Sequence, residues 1–201
     1  RLAKSKQRDG KPMPVTLGFK SNVLKNVSAQ LWQPIFERIA KEEFPDVPAN
    51  YLHIDALNGP CLISNSPKNL GVIVTGNMFG DILTDLTASL FGGMGVGSSG
   101  CICPAGTSEM NPKGVSMFEP LHGSSPKDYG QGTVSPMAAI LSSALMFDHL
   151  GERRIARDIE GAVEEVLASG KIPNLTTHSG VSTSRQTDMV LDELLRGKNL
   201  S

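Results

Sequence analysis

Thr75-Gly76-Asn77-Met78-Phe79-Gly80-Asp81-Ile82-Leu83-Thr84-Asp85 is the stretch on which the reading of this chain turns. It overlaps the end of Gly71-Val72-Ile73-Val74-Thr75, a short apolar run that predicts a strand, and it opens a helix over Met78 to Phe91. Asp81 and Asp85 then stand at i and i+4, on one face of that helix. Two like charges at this spacing cost roughly a few tenths of a kcal/mol unless a cation offsets them. No Lys or Arg lies within a turn of them on the helix. Hard divalent cations such as Mg²⁺ and Mn²⁺ take carboxylate oxygens and keep positions for water or substrate. Spacing alone leaves two readings open: a metal-holding pair, or a solvated acidic face whose Asp81 is favoured by the helix dipole.

Outward from this block, strand-like and helical segments alternate, which predicts an α/β architecture. Upstream, Val15 to Phe19 reads as a strand and Val23 to Phe44 as one long amphipathic helix. Leu24, Val27, Leu31, Ile35, Ile39 and Ala40 form its apolar stripe, and Pro34 should kink or break it. Asn50 to Ile54 reads as a further strand. Downstream, Gly92 to Gly106 is too rich in Gly and Ser to be regular throughout. Val115 to Glu119 reads as a strand and Pro136 to Leu150 as a buried helix. Glu152 to Ala168 reads as a surface helix burying Ile155, Ile159, Val163, Val166 and Leu167, and Thr187 to Leu195 as the last helix. The domain change is expected in the glycine-rich stretch near Phe91.

Composition narrows the function. With 201 residues, 39% hydrophobic and a net charge of −1, the chain can build one substantial core or two small ones. It carries no basic footprint for nucleic acid and no Lys/Arg cluster for an anionic membrane. No apolar run approaches the roughly 20 residues of a spanning helix, and Arg1 to Lys6 lacks a signal peptide's apolar core. Three cysteines, Cys61, Cys101 and Cys103, fit neither a disulfide framework nor a zinc site. Reduced thiols in the cytoplasm, or in a mitochondrial matrix if the source is eukaryotic, are the expectation. The start at Arg1, without Met, reads as the middle of a longer polypeptide.

Lys20 follows the strand Val15–Phe19, and Asp55 follows the strand ending at Ile54. Open α/β sheets gather ligands at the carboxyl ends of their strands, so Lys20, Asp55 and the Asp81/Asp85 pair are expected to converge in one cleft. A lysine beside carboxylates can bind an acid substrate or move a proton. Singly, each also reads as a surface charge at a strand end. Gly95-Val96-Gly97-Ser98-Ser99-Gly100 fits G-x-G-x-x-G by letter, but a helix precedes it and Cys101-Ile102-Cys103-Pro104 follows. The dinucleotide fingerprint needs a strand before and a helix after, so this segment reads as a flexible turn.

Successive motifs resemble those of the isocitrate/3-isopropylmalate dehydrogenase family, the metal-dependent β-decarboxylating dehydrogenases. They are Lys20-Ser21-Asn22-Val23-Leu24, Ile54-Asp55-Ala56, Asn77 to Asp85, Phe118-Glu119-Pro120-Leu121-His122-Gly123-Ser124-Ser125-Pro126, and Pro136 to Ser142. The order matches, and the likeness runs from about Val15 to Leu195. It implies that family's three-layer α/β fold, with the amino-terminal half not in this chain. Residues 1–91 would belong to the smaller domain, with the dimer interface and metal carboxylates, and 92–201 to the larger cofactor-binding domain. Asp55, Asp81 and Asp85 would hold Mg²⁺ or Mn²⁺ against the substrate, and Lys20 would move the hydroxyl proton. Asn22 would contact substrate or nicotinamide. Lys20 and Asp55 would serve the partner subunit's site, implying a homodimer or higher oligomer. Glu119, His122, Gly123, Ser124, Ser125, Lys127, Asp128 and Ser135 would form the cofactor loop, with His122 against the adenine. The implied reaction is NAD(P)-dependent oxidative decarboxylation of a 3-carboxy-2-hydroxy acid: 3-isopropylmalate or isocitrate, with tartrate and homoisocitrate as further members of the class.

Several positions depart from the family pattern. Ser135 stands where many members have Asn, weakening an adenine contact, and Asp55 is followed by the unusual Ala56-Leu57-Asn58-Gly59-Pro60. NAD-preferring members carry an acid just after the loop proline and NADP-preferring members often a cation; here Lys127-Asp128 supplies one of each. Asp128 would accept from ribose hydroxyls and repel a 2′-phosphate, which favours NAD over NADP. Asn22-Val23-Leu24 and Leu31-Trp32 resemble the isopropylmalate branch, whereas Gly92 to Val96 resembles the isocitrate branch. The substrate-gripping arginines and the tyrosine acid belong to the absent half. The alternative is a non-catalytic regulatory subunit of an NAD-dependent isocitrate dehydrogenase, against which the intact Lys20, Asp55, Asp81 and Asp85 set argues.

Overall fold

The computed structural model describes residues 2–5, 7–59, 70–90, 92–103, 114–177 and 179–196. Cys61, Phe91 and residues 104–106, where the glycine-rich stretch ends, lie outside the described residues. The chain forms two compact units, Arg1–Thr84 and Asp85–Ser201.

The first unit begins with α1 (Leu2–Ser5) and a small antiparallel ladder, β1 (Gln7–Arg8) with β2 (Lys11–Pro12). Its centre is a parallel sheet in which β3 (Val15–Phe19) lies between β4 (Ala49–His53) and β5 (Val72–Thr75). Thr16 through Phe19 are all buried, as expected of a central parallel strand covered on both faces. Thr16 is tolerated there because its hydroxyl donates to the Leu70 carbonyl at 3.0 Å. Gly71 starts β5 with φ +61°, and a Cβ there would lie 2.1 Å from the Pro14 carbonyl oxygen. That same oxygen accepts the Val72 N–H at 2.8 Å, so only glycine lets β5 join β3 at this point.

Between β3 and β4 the expected single helix is two windings. Lys25–Trp32 is a π-helix, and α2 (Gln33–Glu42) continues from it with Pro34 in its first turn. Pro34 has no N–H to donate, and the first turn of an α-helix is where that loss is least felt. Trp32 packs against Phe19 with ring centroids 5.2 Å apart. Leu24, Val27, Leu31 and Ile35, expected as the buried stripe, are instead 38% to 51% exposed. Nothing among the described residues covers that face. After β4 comes α3 (Ile54–Ala56), and α4 (Asn77–Leu90) follows β5.

The second unit holds β6 (Ser98–Cys101), β7 (Met117–Pro120), α5 (Met137–His149), α6 (Arg153–Ala168) and α7 (Thr183–Arg196). Its core is Met137, Ala162, Val163, Val166, Ile172 and Val190. Gly95 to Gly100 is not a flexible turn: Met94–Val96 forms a 3₁₀ turn, and Ser98–Cys101 pairs antiparallel with Met117–Pro120. Gly100 allows this, since a Cβ there would stand 3.1 Å from the Phe118 ring. The glycines run into a strand, not a helix, so the dinucleotide fingerprint lacks its required context. α5 is buried along one side only, at Met137, Ala138, Ser142 and Ala144. On α6 the buried set is Ala156, Ile159, Ala162, Val163 and Val166, while Ile155 is 40% exposed and Leu167 only packs at the core margin. α7 starts earlier than expected because Ser182 caps it, its hydroxyl accepting the Arg185 N–H at 3.2 Å.

Candidate functional site

The carboxyl ends of β3 and β4 bring two of the expected residues together. The register sets Phe19 opposite His53, so Lys20 and Asp55 leave neighbouring strands side by side. Lys20 Nζ lies 2.7 Å from Asp55 Oδ1, with the lysine side chain 24% and the aspartate 66% exposed. The Lys20 hydrogen bond, then the Asp55 backbone hydrogen bond, hold the Asp55 carboxyl below the usual carboxylate range. The turn that follows Lys20 is wound tightly, its carbonyl accepting the Val23 and Leu24 N–H groups at 3.1 and 2.8 Å. Asn22 sits exposed on this turn.

Asp81 and Asp85 are exposed on α4, one turn apart, as the spacing predicts. Asp81 Oδ2 accepts from Asn77 Nδ2 at 3.2 Å. Their carboxylates suit a hard divalent cation, which wants oxygen donors with solvent-accessible positions beside them. Among the described residues no three or more His, Cys, Asp or Glu side chains are grouped to hold a metal. Of the expected set, Lys20 and Asp55 are brought into contact.

The second unit contains an open cavity of about 540 Å³. His122, Gly123, Ser124, Ser125 and Ser135 line it, facing Gly92 to Gly95 and Leu175 to Thr177. The His122 Nδ1 lies 2.8 Å from the Gly123 carbonyl, to which it can only donate. Ser125 has a left-handed backbone, φ 45°, unusual for a residue with a Cβ. Its hydroxyl donates to the Asp128 carboxylate, and the Asp128 N–H returns a bond to the Ser125 carbonyl at 2.9 Å. Lys127 is exposed and makes no ion pair among the described residues. Glu119 is exposed on β7, and neither it nor Lys127 nor Asp128 lines the cavity.

Residues 1–190 match the family model for isocitrate/isopropylmalate dehydrogenase. The chain belongs to the isocitrate/isopropylmalate dehydrogenase family. It is 48% identical over 155 residues to a 3-isopropylmalate dehydrogenase of Rhodococcus jostii (strain RHA1), covering 77% of this chain and 43% of that protein. A 3-isopropylmalate dehydrogenase of Clavibacter sepedonicus is 42% identical over 182 residues, covering 90% of this chain and 46% of its own. The chain thus spans less than half the length of these two relatives. The crystal structure of an isocitrate dehydrogenase from Methylococcus capsulatus shares the fold at a TM-score of 0.75 and 34% identity, covering 90% of this chain and 50% of that one.

Within this family frame, the far wall of the cavity is what motif reading missed. Leu175, Thr176 and Thr177 carry no motif. Their place is marked by Gly95, where a Cβ would stand 2.9 Å from the Leu175 carbonyl oxygen. A glycine demanding such close backbone approach was the one available signal. No helix among the described residues is long and apolar enough to cross a membrane.

Proposed function

We propose that this chain contributes proton-handling, metal-holding and cofactor-binding groups to an NAD(P)-dependent dehydrogenase that oxidatively decarboxylates a 3-carboxy-2-hydroxy acid, 3-isopropylmalate or isocitrate. The observation that carries this reading is the Lys20–Asp55 pair at 2.7 Å, at the carboxyl ends of adjacent parallel strands. In the reaction, the C2 hydroxyl gives up its proton as hydride leaves C2 for the nicotinamide. The 2-oxo acid then loses CO₂ from C3, and C3 takes a proton. Lys20 Nζ moves the hydroxyl proton, with Asp55 as its hydrogen-bonded partner. Asn22, exposed on the same turn, contacts substrate or nicotinamide.

Asp81 and Asp85 would hold Mg²⁺ or Mn²⁺, joined by Asp55 from a second copy. When bound, the cation supplies Lewis-acid stabilisation of the charge that develops on the substrate oxygen. The 66% exposure of Asp55 suits a residue shared across two copies. In the second unit, His122 lines the 540 Å³ cavity and would meet the adenine there.

The test mixes this chain with the amino-terminal half of the Rhodococcus jostii relative. 3-Isopropylmalate, isocitrate, homoisocitrate and tartrate are then assayed with Mn²⁺ and either NAD or NADP. Turnover of one acid, requiring both halves, is expected, and the chain alone should be inactive. Orientation of substrate supplies ~7–11 kcal/mol of barrier reduction, and the arginines that would orient it belong to the other half. No turnover of any acid by the mixture would overturn the reading.

A further inference from the structure

Ser21, Tyr51 and His53 form a polar cluster that the proposed chemistry does not use. The Ser21 N–H donates to the Tyr51 phenolic oxygen at 2.9 Å, and the Tyr51 hydroxyl donates to Ser21 Oγ at 2.7 Å. The His53 Nδ1 stands 3.2 Å from the same oxygen, with the two rings edge to face at 5.4 Å. A phenol has one hydrogen to give. With it directed to Ser21, the same oxygen is open to accept from His53 when Nδ1 carries the hydrogen. All three residues are half-buried, where such bonds are better shielded from competing water.

The placement has a mechanical consequence. Ser21 directly follows Lys20, on the tight turn that also carries Asn22. Tyr51 and His53 are i and i+2 on β4, and Asp55 lies in α3, which begins directly after His53. Tyr51 therefore ties the turn carrying Lys20 to the strand that delivers Asp55. The Lys20–Asp55 pair alone would not fix this geometry. Asp55 is largely exposed, and an exposed ion pair holds two long side chains only weakly.

We propose that Tyr51 is a positioning residue: its two hydrogen bonds with Ser21, supported by His53, set the Lys20 turn so that Nζ meets Asp55 ready for proton transfer. The catalytic half of this statement rests on the dehydrogenase reading above; the structural half does not.

Tyr51→Phe keeps the ring and removes the oxygen, and Ser21→Ala removes only the partner hydroxyl. In the 201-residue chain, Tyr51→Phe should speed amide hydrogen exchange at Ser21 at least tenfold and broaden the Lys20 ammonium NMR signal, with the melting temperature little changed. In the mixture with the amino-terminal half, kcat should fall about tenfold while the KM for NAD stays within twofold. Ser21→Ala should give a smaller loss, and the double variant should be no worse than Tyr51→Phe. Unchanged Ser21 exchange and an unchanged Lys20 signal would overturn the proposal. So would a tenfold exchange effect with kcat intact, because Tyr51 would then be structural only. If the parent mixture turns over nothing, the dehydrogenase reading falls with the catalytic half of the proposal, while exchange and the Lys20 signal decide the structural half.

Discussion

Nζ of Lys20 lies 2.7 Å from Oδ1 of Asp55, and the two residues reach each other from the carboxyl ends of neighbouring parallel strands. Replacing the cation tests what the pair is for. Lys20→Met, assayed together with an amino-terminal half, should lower turnover by ~10²–10⁴-fold, the usual contribution of a general acid–base group. Cofactor affinity should stay nearly intact, since Lys20 is not among the residues lining the His122 cavity. Turnover within a few-fold of the parent would make Lys20 a surface charge.

The same pair predicts a pH dependence. The Asp55 carboxyl is held below its ordinary value, chiefly by the Lys20 hydrogen bond. A depressed carboxylate stabilises the folded state above its unfolded pKa of about 3.9, and that contribution is lost as pH falls through the lower folded value. Following the Asp55 carboxyl by ¹³C NMR should show it titrating below its ordinary range, and Lys20→Met should move it upward. An identical titration in both proteins would show that Lys20 is not the cause.

Metal should bind at the α4 carboxylates. Mn²⁺ titrated into the chain should bind at least tenfold more weakly after Asp81→Asn or Asp85→Asn, because each substitution removes one anionic oxygen donor. Equal affinity in parent and variants would leave the pair as a solvated acidic face.

On the proposed function, cofactor preference should turn on Lys127 and Asp128. The Ser125 hydroxyl anchors the Asp128 carboxylate beside the loop that lines the cavity, which keeps a negative charge there against a 2′-phosphate. NAD should be the better cofactor by kcat/KM. Asp128→Asn should shift the ratio toward NADP by roughly tenfold, or about 1.4 kcal/mol. A parent enzyme that prefers NADP would mean that Lys127 dominates.

Two glycines should respond in opposite directions. Gly71→Ala forces a Cβ to within 2.1 Å of the Pro14 carbonyl at a positive φ, so urea unfolding should report a loss of at least about 2 kcal/mol. Gly161 lies inside α6 with nothing within 4 Å of where its Cβ would be. Gly161→Ala should gain about 0.5–1 kcal/mol. A neutral Gly71→Ala would show that β5 can begin elsewhere.

The sequence by itself determined the local elements and the order of the chemistry-bearing blocks. Val15–Phe19 is a strand as read, and Asp81 and Asp85 share a helix face because 3.6 residues per turn leaves no other arrangement. Motif order was enough to name the family. Convergence of Lys20 with Asp55 at the strand ends was expected; what the sequence could not reach was the contact geometry between distant segments. Lys20 meets Asp55, and Tyr51 meets Ser21, because β3 pairs with β4 in one register; a one-residue slip would turn every side chain to the other face. The apolar stripe of Leu24, Val27, Leu31 and Ile35 was legible as a stripe, yet its exposure depends on what packs there, not on its own spacing. Ser98–Cys101 looked like a turn because glycine and serine favour turns locally, and became a strand because Met117–Pro120 offered it a ladder. Propensity and periodicity act within a few residues, whereas register, burial and cavity walls are set by hydrogen bonds and contacts between segments far apart in the chain.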